Sequence, residues 1–279
     1  MVSTNSEAEL DPSSYPITRK TLQKPYKTDQ DISSEPLPTN GSNVRFHVMS
    51  YNILADQLAR CELHPGVSPS ILDFKFRAPR IIQDIEQSDA SLICLQEVDH
   101  IDDFYDNRLK SLGFEMVYGR RKPSPSDAQI EHHTIAIGYK PEVWTLVNSE
   151  LVDLAEVKHW FDGPNQADYT CGNNFNAMFC TMLHKESQKK IVLANTHLEH
   201  DPRRDHVKYA QAVFVLERAS RFMKMVEEGA GLTLPFVFGG DFNSLPISSV
   251  LSAFYGEDIE ETDQTRPSVW RLPANMPET

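Results

Sequence analysis

From Val44 onward the chain alternates short apolar runs with stretches whose apolar side chains recur at helical spacing. The apolar runs predict buried strands at 44–52, 91–97, 114–118, 134–139, 175–183, 190–197 and 235–240. The helical spacing predicts helices at 79–88, with Pro79 in the first turn, and at 102–112, 205–228 and 248–254. Continuous apolar strands that alternate with helices indicate α/β layers with covered sheets.

Two parts of the chain lack this alternation. Residues 1–43 are polar and rich in proline, which predicts a disordered or loosely packed arm. Residues 145–180 contain Gly163, Pro164 and a run of Asn, and for most of this stretch the pattern predicts neither a helix nor a strand. We therefore predict an arm at 1–43 and one domain over 44–279, with no internal repeat.

Composition narrows the class of protein. The chain has 27 Lys and Arg against 40 Asp and Glu, a net charge of −13, which argues against a protein that coats nucleic acid by charge alone. No run approaches the roughly 20 apolar residues of a membrane span, so we expect no membrane partner. Four cysteines without a CxxC pair are typical of thiols in a reducing compartment. With acidic residues first at the N-terminus, we predict an intracellular protein, cytoplasmic or nuclear.

Polar residues stand at the ends of four predicted strands, where a simple core would be apolar. Ligand sites of α/β sheets lie beyond the carboxyl ends of strands, and side chains at i and i+2 of a strand share a face. We therefore expect these residues to form one site. They are Asn52, Glu97, Asn195, His197, Asp241 and Asn243.

Oxygen-rich side chains without cysteine suit a hard cation, Mg²⁺ or alternatively Mn²⁺. Glu97 is the natural ligand, and Asp241 can orient or deprotonate an attacking water. Asn52 and Asn243 can hold that water or a metal-bound water. His197, if protonated, can stabilise charge on phosphoryl oxygens. The set predicts metal-assisted hydrolysis of a phosphoester.

Four motifs in this order, MSYNILAD, ICLQEVD, ANTHLEHDPRR and GGDFNSLP, resemble the endonuclease/exonuclease/phosphatase superfamily. Within it they are most similar to the deadenylase-like branch of nocturnin, Angel, the carbon catabolite repressor deadenylases and the fungal Ngl RNA exonucleases. The resemblance covers about Phe46 to Phe254. It implies a four-layer α/β sandwich, two packed mixed sheets flanked by helices. It also implies Mg²⁺-dependent 3′-5′ hydrolysis of RNA, often poly(A), that releases 5′-monophosphates.

By the same resemblance Glu97 is the metal-binding glutamate and Asn52 a metal or phosphate contact. His197, Asp241 and Asn243 are the catalytic residues that it implies.

Four further residues are candidates for substrate binding, each with a structural alternative. Asn195 can instead satisfy backbone groups at its strand end. His133 is either a phosphate contact or an exposed loop residue. Arg203 and Arg204 can hold RNA phosphates or form a solvated helix start.

The chain departs from the family pattern in two places. It has His133-Thr134-Ile135-Ala136 where the deadenylases have Asp-Gly-Cys-Ala, which leaves substrate preference open. No histidine follows His206, although the family closes with a Ser-Asp-His motif. We therefore expect either a fragment or truncated gene product whose domain lacks C-terminal strands, or an enzyme without one catalytic residue. In both cases we expect severely impaired activity of the 279 residues themselves. The alternatives are another phosphoesterase of the same fold, acting on a dinucleotide or inositol phosphate, and a catalytically impaired protein that binds RNA or a partner.

Overall fold

The structure, a computed structural model, describes residues 44–119, 133–161, 165–170, 175–228, 234–246 and 248–255. The chain divides into two units, Met1–Asn43 and Val44–Thr279, and every described residue belongs to the second. The predicted arm at 1–43 lies outside the described residues. Residues 256–279 also lie outside them, so the expectation of missing C-terminal strands stays a prediction.

The first sheet contains four strands in the order β1-β2-β4-β3. They are β1 (Val48–Asn52), β2 (Leu92–Val98), β3 (Glu115–Tyr118) and β4 (Thr134–Tyr139). Strand β1 pairs with β2 in parallel, whereas β4 pairs with both neighbours antiparallel. The two central strands are buried along their whole length, which matches their apolar sequences.

The second sheet contains the other four strands in chain order. They are β5 (Trp144–Asp153), β6 (Asn176–His184), β7 (Lys190–His197) and β8 (Phe236–Asp241). The pairs β5–β6 and β6–β7 are antiparallel, and β7–β8 is parallel. Each sheet therefore has one parallel pair at an edge, β1–β2 in the first and β7–β8 in the second.

Six α-helices connect and cover the sheets in the described residues. They are α1 (Pro69–Leu72), α2 (Phe74–Gln87), α3 (Asp106–Ser111), α4 (Asn165–Asp168), α5 (Asp205–Glu228) and α6 (Ser249–Tyr255). Helix α3 continues a π-helical segment, Ile101–Tyr105. None of these helices combines the length and the apolar character that crossing a membrane requires.

Three apolar clusters show how the layers pack. Ile81 and Ile85 of α2 pack on the outer face of the first sheet, and Phe214 and Phe222 of α5 pack on the outer face of the second. The third cluster joins the sheets face to face through side chains of β2, β4, β6 and β7, among them Cys94 and Cys180. The predicted class, two packed mixed sheets with flanking helices, is confirmed.

Several elements have the predicted bounds, and others differ for identifiable reasons. Strand β5 was missed because it is an edge strand whose middle is mostly exposed, so it has no continuous apolar run.

The placement of Pro79 in a first turn was wrong. Helix α2 begins earlier, because Asp73 caps it by accepting a hydrogen bond from the Lys75 N–H. Pro79 lies inside this helix on its exposed side, where water can satisfy a carbonyl that lacks an N–H partner.

Gly138 gives a test of the packing within the first sheet. It lies in β4 between Met116 of β3 and Ile93 of β2. A Cβ at this position would lie 2.5 Å from Met116 Sδ and 2.7 Å from Ile93 Cγ1. We expect Gly138→Ala to lower the free energy of unfolding by about 1–3 kcal/mol, measured by urea denaturation. The control is Ser149→Ala on exposed β5, and equal midpoints for the two variants would contradict the packing.

Candidate active site

The candidate site lies where the parallel edge pairs of the two sheets come together. Asn52 ends β1 and Glu97 lies near the end of β2, so the first sheet contributes both of these side chains to the site. His197 ends β7 and Asp241 ends β8, and these two residues are register partners in the second sheet. The structure therefore brings together side chains that come from four strands of two sheets.

The amide of Asn52 joins the two carboxylates. Its Nδ2 donates to Glu97 Oε1 at 2.9 Å and to Asp241 Oδ2 at 2.8 Å. Its Oδ1 accepts from the Leu54 N–H at 3.0 Å, which fixes the amide with its nitrogen toward the carboxylates. One neutral donor is thus shared by two acidic side chains from different sheets.

Glu97 is held by a local irregularity of β2. The register between β2 and β4 shifts between Leu95 and Val98, and Glu97 has a φ of 58°. A left-handed backbone is costly for a residue with a Cβ, so the ladder on both sides must hold it. The carboxylate is 8% exposed, and its Oε2 accepts from the Ala55 N–H at 3.1 Å. This backbone contact of Ala55 could not be found from residue types, because it involves no side chain of Ala55.

His197 lies beside both carboxylates. Its Nε2 is 3.8 Å from Glu97 Oε1 and 3.9 Å from Asp241 Oδ2. Burial lowers the pKa of His197 below its ordinary value, although both carboxylates act to raise it. The neutral imidazole is therefore favoured at neutral pH, and the protonated form considered from the sequence is not.

Asp241 and Asn243 form a turn directly after β8. The Asn243 N–H donates to Asp241 Oδ1 at 2.9 Å, and the Asn243 side chain donates to the Leu198 carbonyl at 2.9 Å. Asn243 itself has a φ of 48°, a conformation that asparagine tolerates better than most residues. Both oxygens of Asp241 are thereby oriented, one by this turn and the other by Asn52.

Asn195 does not extend into the site. It is fully buried, and its Nδ2 donates to the carbonyls of Leu95 and Ala136, each at 2.9 Å. Its Oδ1 accepts from Gln96 Nε2 at 2.7 Å. The predicted contact of Asn195 with substrate is corrected accordingly, because both donors of its amide and its carbonyl oxygen are engaged inside the protein.

The other substrate-binding candidates lie in different surroundings. The ring centroid of His133 lies 6.2 Å from that of His197. Arg204 binds Glu199 Oε2 at 2.7 Å and the carbonyls of residues 168 and 170, so its guanidinium has an internal structural role. Arg203 has an 86% exposed side chain and pairs with Asp201. Phosphate binding by His133 or Arg203 stays a prediction, whereas Arg204 is already occupied.

The charges of the site suit a divalent cation. In the part of the chain that the structure describes, His197 is the only basic side chain in an ion-pair contact with Glu97 or Asp241. Because that imidazole is neutral, no described side chain in an ion-pair contact compensates the charge of these two carboxylates. No group of three or more His, Cys, Asp or Glu side chains within the described ranges forms a metal cage. Mg²⁺ needs no such cage, since one or two carboxylates with water and phosphate complete its coordination.

Comparisons with known proteins point to one family. The sequence model of the Endonuclease/Exonuclease/phosphatase family matches residues 49–272. The chain is 28% identical over 251 residues to the Arabidopsis thaliana protein "Carbon catabolite repressor protein 4 homolog 4", covering 80% of this chain and 58% of that protein. It is 27% identical over 237 residues to the Yarrowia lipolytica "CCR4-Not complex 3'-5'-exoribonuclease subunit Ccr4", covering 75% of this chain and 34% of that protein.

A solved structure has a similar fold. The structure of ANGEL2, described as a 2′,3′-cyclic phosphatase, superposes with a TM-score of 0.61 at 28% sequence identity. The match covers 75% of this chain and 56% of that one. The chain thus spans less than two thirds of the length of these relatives.

The bridging amide of Asn52 yields a prediction that involves no ligand. Asn52→Asp replaces a donor shared by two carboxylates with a third carboxylate. We expect the free energy of unfolding in EDTA at pH 8 to fall by roughly 2 kcal/mol, the scale of lost hydrogen bonds to charged groups. The control is Asn107→Asp, at an exposed position of α3. Equal losses in the two variants would mean that the Asn52 bridge contributes nothing.

Proposed function

The chain belongs to the endonuclease/exonuclease/phosphatase family, and on that premise we propose that it is a Mg²⁺-dependent phosphodiesterase that shortens RNA from its 3′ end. The observation that carries the proposal is the pair of carboxylates, Glu97 and Asp241, which Asn52 holds together. Among the described residues, their one basic ion-pair neighbour is the neutral His197. The relative named as a 3′-5′-exoribonuclease supports RNA as the substrate.

In this proposal Glu97 and Asn52 hold the cation and the waters around it. The cation, when bound, would neutralise charge on the phosphate. Asp241 orients the attacking water and accepts its proton, because Asn52 and the Asn243 N–H fix the direction of its two oxygens. The water oxygen forms a bond to phosphorus while the bond from phosphorus to the 3′ oxygen of the preceding nucleotide breaks, and the leaving 3′ oxygen takes up a proton from solvent. The products are a nucleoside 5′-monophosphate and an RNA with a new 3′ hydroxyl.

His197 acts as a neutral hydrogen-bond donor in this scheme. A buried imidazole with a lowered pKa can donate from its protonated Nε2 to a phosphoryl oxygen without carrying a full charge. His133, whose ring lies beside that of His197, is the candidate for a second contact with the phosphate. Arg203 is the candidate for a contact with the RNA backbone away from the reacting group.

A second candidate function comes from the ANGEL2 structure, which is described as a 2′,3′-cyclic phosphatase. The same carboxylates can direct water at a cyclic phosphate, since that reaction also forms a bond from water to phosphorus. The two candidates differ in the bond that breaks and in whether the RNA becomes shorter.

One pair of substrates separates the candidates. A 5′-labelled oligoadenylate with a 3′ hydroxyl is compared with the same oligonucleotide ending in a 2′,3′-cyclic phosphate, each in Mg²⁺ and in EDTA. Stepwise shortening of the first substrate, in Mg²⁺ only, is the expected result. Loss of the cyclic end without shortening would favour the second candidate. Because the sequence predicts impaired activity, the chain is used in excess over substrate. Equal activity in EDTA, or both substrates left intact under these conditions, would contradict the proposed metal-dependent activity.

The role of Glu97 predicts the effect of its neutral isostere. We expect Glu97→Gln to lower the affinity for Mg²⁺ by about 10- to 100-fold and to lower the rate of hydrolysis at least as much. The assay measures product formation across a Mg²⁺ titration. The matched control is Glu62→Gln, at an exposed position, which should keep the wild-type titration curve. Wild-type activity in the Glu97 variant would exclude this carboxylate as a ligand.

A further inference from the structure

Three polar side chains connect the facing surfaces of the two sheets, beside an otherwise apolar middle layer. We call them the inter-sheet seam: Ser50 of β1, Gln96 of β2 and Asn195 of β7. The Asn195 amide donates to carbonyls of β2 and β4, and Gln96 donates back to Asn195. A strand of the second sheet is therefore hydrogen-bonded through side chains to two strands of the first.

Ser50 makes the corresponding connection to β8. The Gly240 N–H donates to Ser50 Oγ at 3.0 Å, directly before Asp241. Gly240 has a φ of 153°, and a Cβ there would lie 2.6 Å from the Thr196 carbonyl oxygen. A Cβ on Gly239 would lie 3.2 Å from the Cβ and Sγ of Cys94 in the first sheet. Gly239 thus lets β8 approach the first sheet closely enough for the Ser50 contact, whereas Gly240 lets β8 lie close to Thr196 of β7 in its own sheet.

Each member of the seam lies one or two residues before a member of the site. Ser50 precedes Asn52 by two residues, Gln96 directly precedes Glu97, and Asn195 precedes His197 by two. A movement of one sheet along the other would change the seam and the distance between the two carboxylates together.

We propose that Ser50, Gln96 and Asn195 are positioning residues, which fix the offset of the two sheets and thereby the distance of Glu97 from His197 and Asp241. Apolar contacts are not directional, so the apolar layer alone would tolerate small slides between the sheets. Hydrogen bonds have narrow ranges of distance and angle, and they remove that freedom. Catalytic and metal-binding groups require this precision, since a misplacement of 1 Å can cost about 10²-fold in rate. The inference rests on the proposed function, because it concerns the geometry of that same site.

Ser50→Ala is the decisive variant, because Ser50 is exposed and its loss leaves no buried cavity. We expect two changes: faster hydrogen exchange at the Gly240 amide, measured by NMR, and a roughly 10-fold weaker binding of Mn²⁺, measured by calorimetry. Ser50→Thr keeps the hydroxyl and should restore both values. Ser149→Ala, a serine on the opposite edge strand of the second sheet, is the control and should change neither.

A purely structural role of Ser50 would give a different result. Thermal stability would fall while the Mn²⁺ dissociation constant stayed at the wild-type value, and that result would overturn the proposal. Failure of the wild-type chain to bind Mn²⁺ would instead count against the proposed function. The Gly240 exchange rate would then still report whether the Ser50 contact exists, so the two failures are distinguishable.

Asn195→Asp tests the buried end of the seam. The aspartate has nearly the same shape but lacks the donors to the carbonyls of Leu95 and Ala136. We expect a larger loss of Mn²⁺ affinity than in Ser50→Ala, since both hydrogen bonds that Asn195 donates to the first sheet are removed and only the one accepted from Gln96 remains. Unchanged affinity in a folded Asn195 variant would overturn the proposal, and if this variant does not fold, Ser50→Ala decides.

Discussion

The site depends on holding two negative charges from different sheets against their mutual repulsion. Glu97 and Asp241 both accept hydrogen bonds from a single amide nitrogen, Nδ2 of Asn52, each within 3 Å. The adjacent imidazole does not neutralise them, because burial keeps His197 uncharged. Such an arrangement is stable when its charge is compensated, and a divalent cation compensates it directly. The same requirement explains how an acidic chain is compatible with the proposed phosphodiester substrate.

The rest of the fold provides the positions that this charge pair needs. The left-handed backbone of Glu97 in β2 turns its carboxylate inward, and Gly239 lets β8 lie close to the first sheet. Parallel pairing at one edge of each sheet places strand ends side by side, β1 with β2 and β7 with β8. Face-to-face packing through the apolar layer then brings the two pairs together. Each feature is local, yet the site exists only where all of them coincide.

The sequence predicted those parts of the fold whose physical origin is periodic burial. Strands β4 and β7 and helix α5 have the predicted bounds, because their apolar spacing is continuous. Strand β5 lacked that signal, since an edge strand can expose most of its side chains. The general rule for strand ends predicted that the polar residues would lie together in one site. It could not predict which side chains bind one another, because the two residues bridged by Asn52 are 45 and 189 positions away in the sequence. For the same reason the sequence left open whether Asn195 binds substrate or backbone groups, and it did not indicate that Arg204 binds Glu199 and internal carbonyls.

The most direct test of a cation held between the two sheets is anomalous diffraction from crystals of the chain grown with Mn²⁺. The expected result is one strong anomalous peak at the Glu97 carboxylate, next to Asn52 and Asp241. A map with no peak there at millimolar Mn²⁺, or with Mn²⁺ bound only elsewhere, would contradict the view that these carboxylates exist to hold a metal ion.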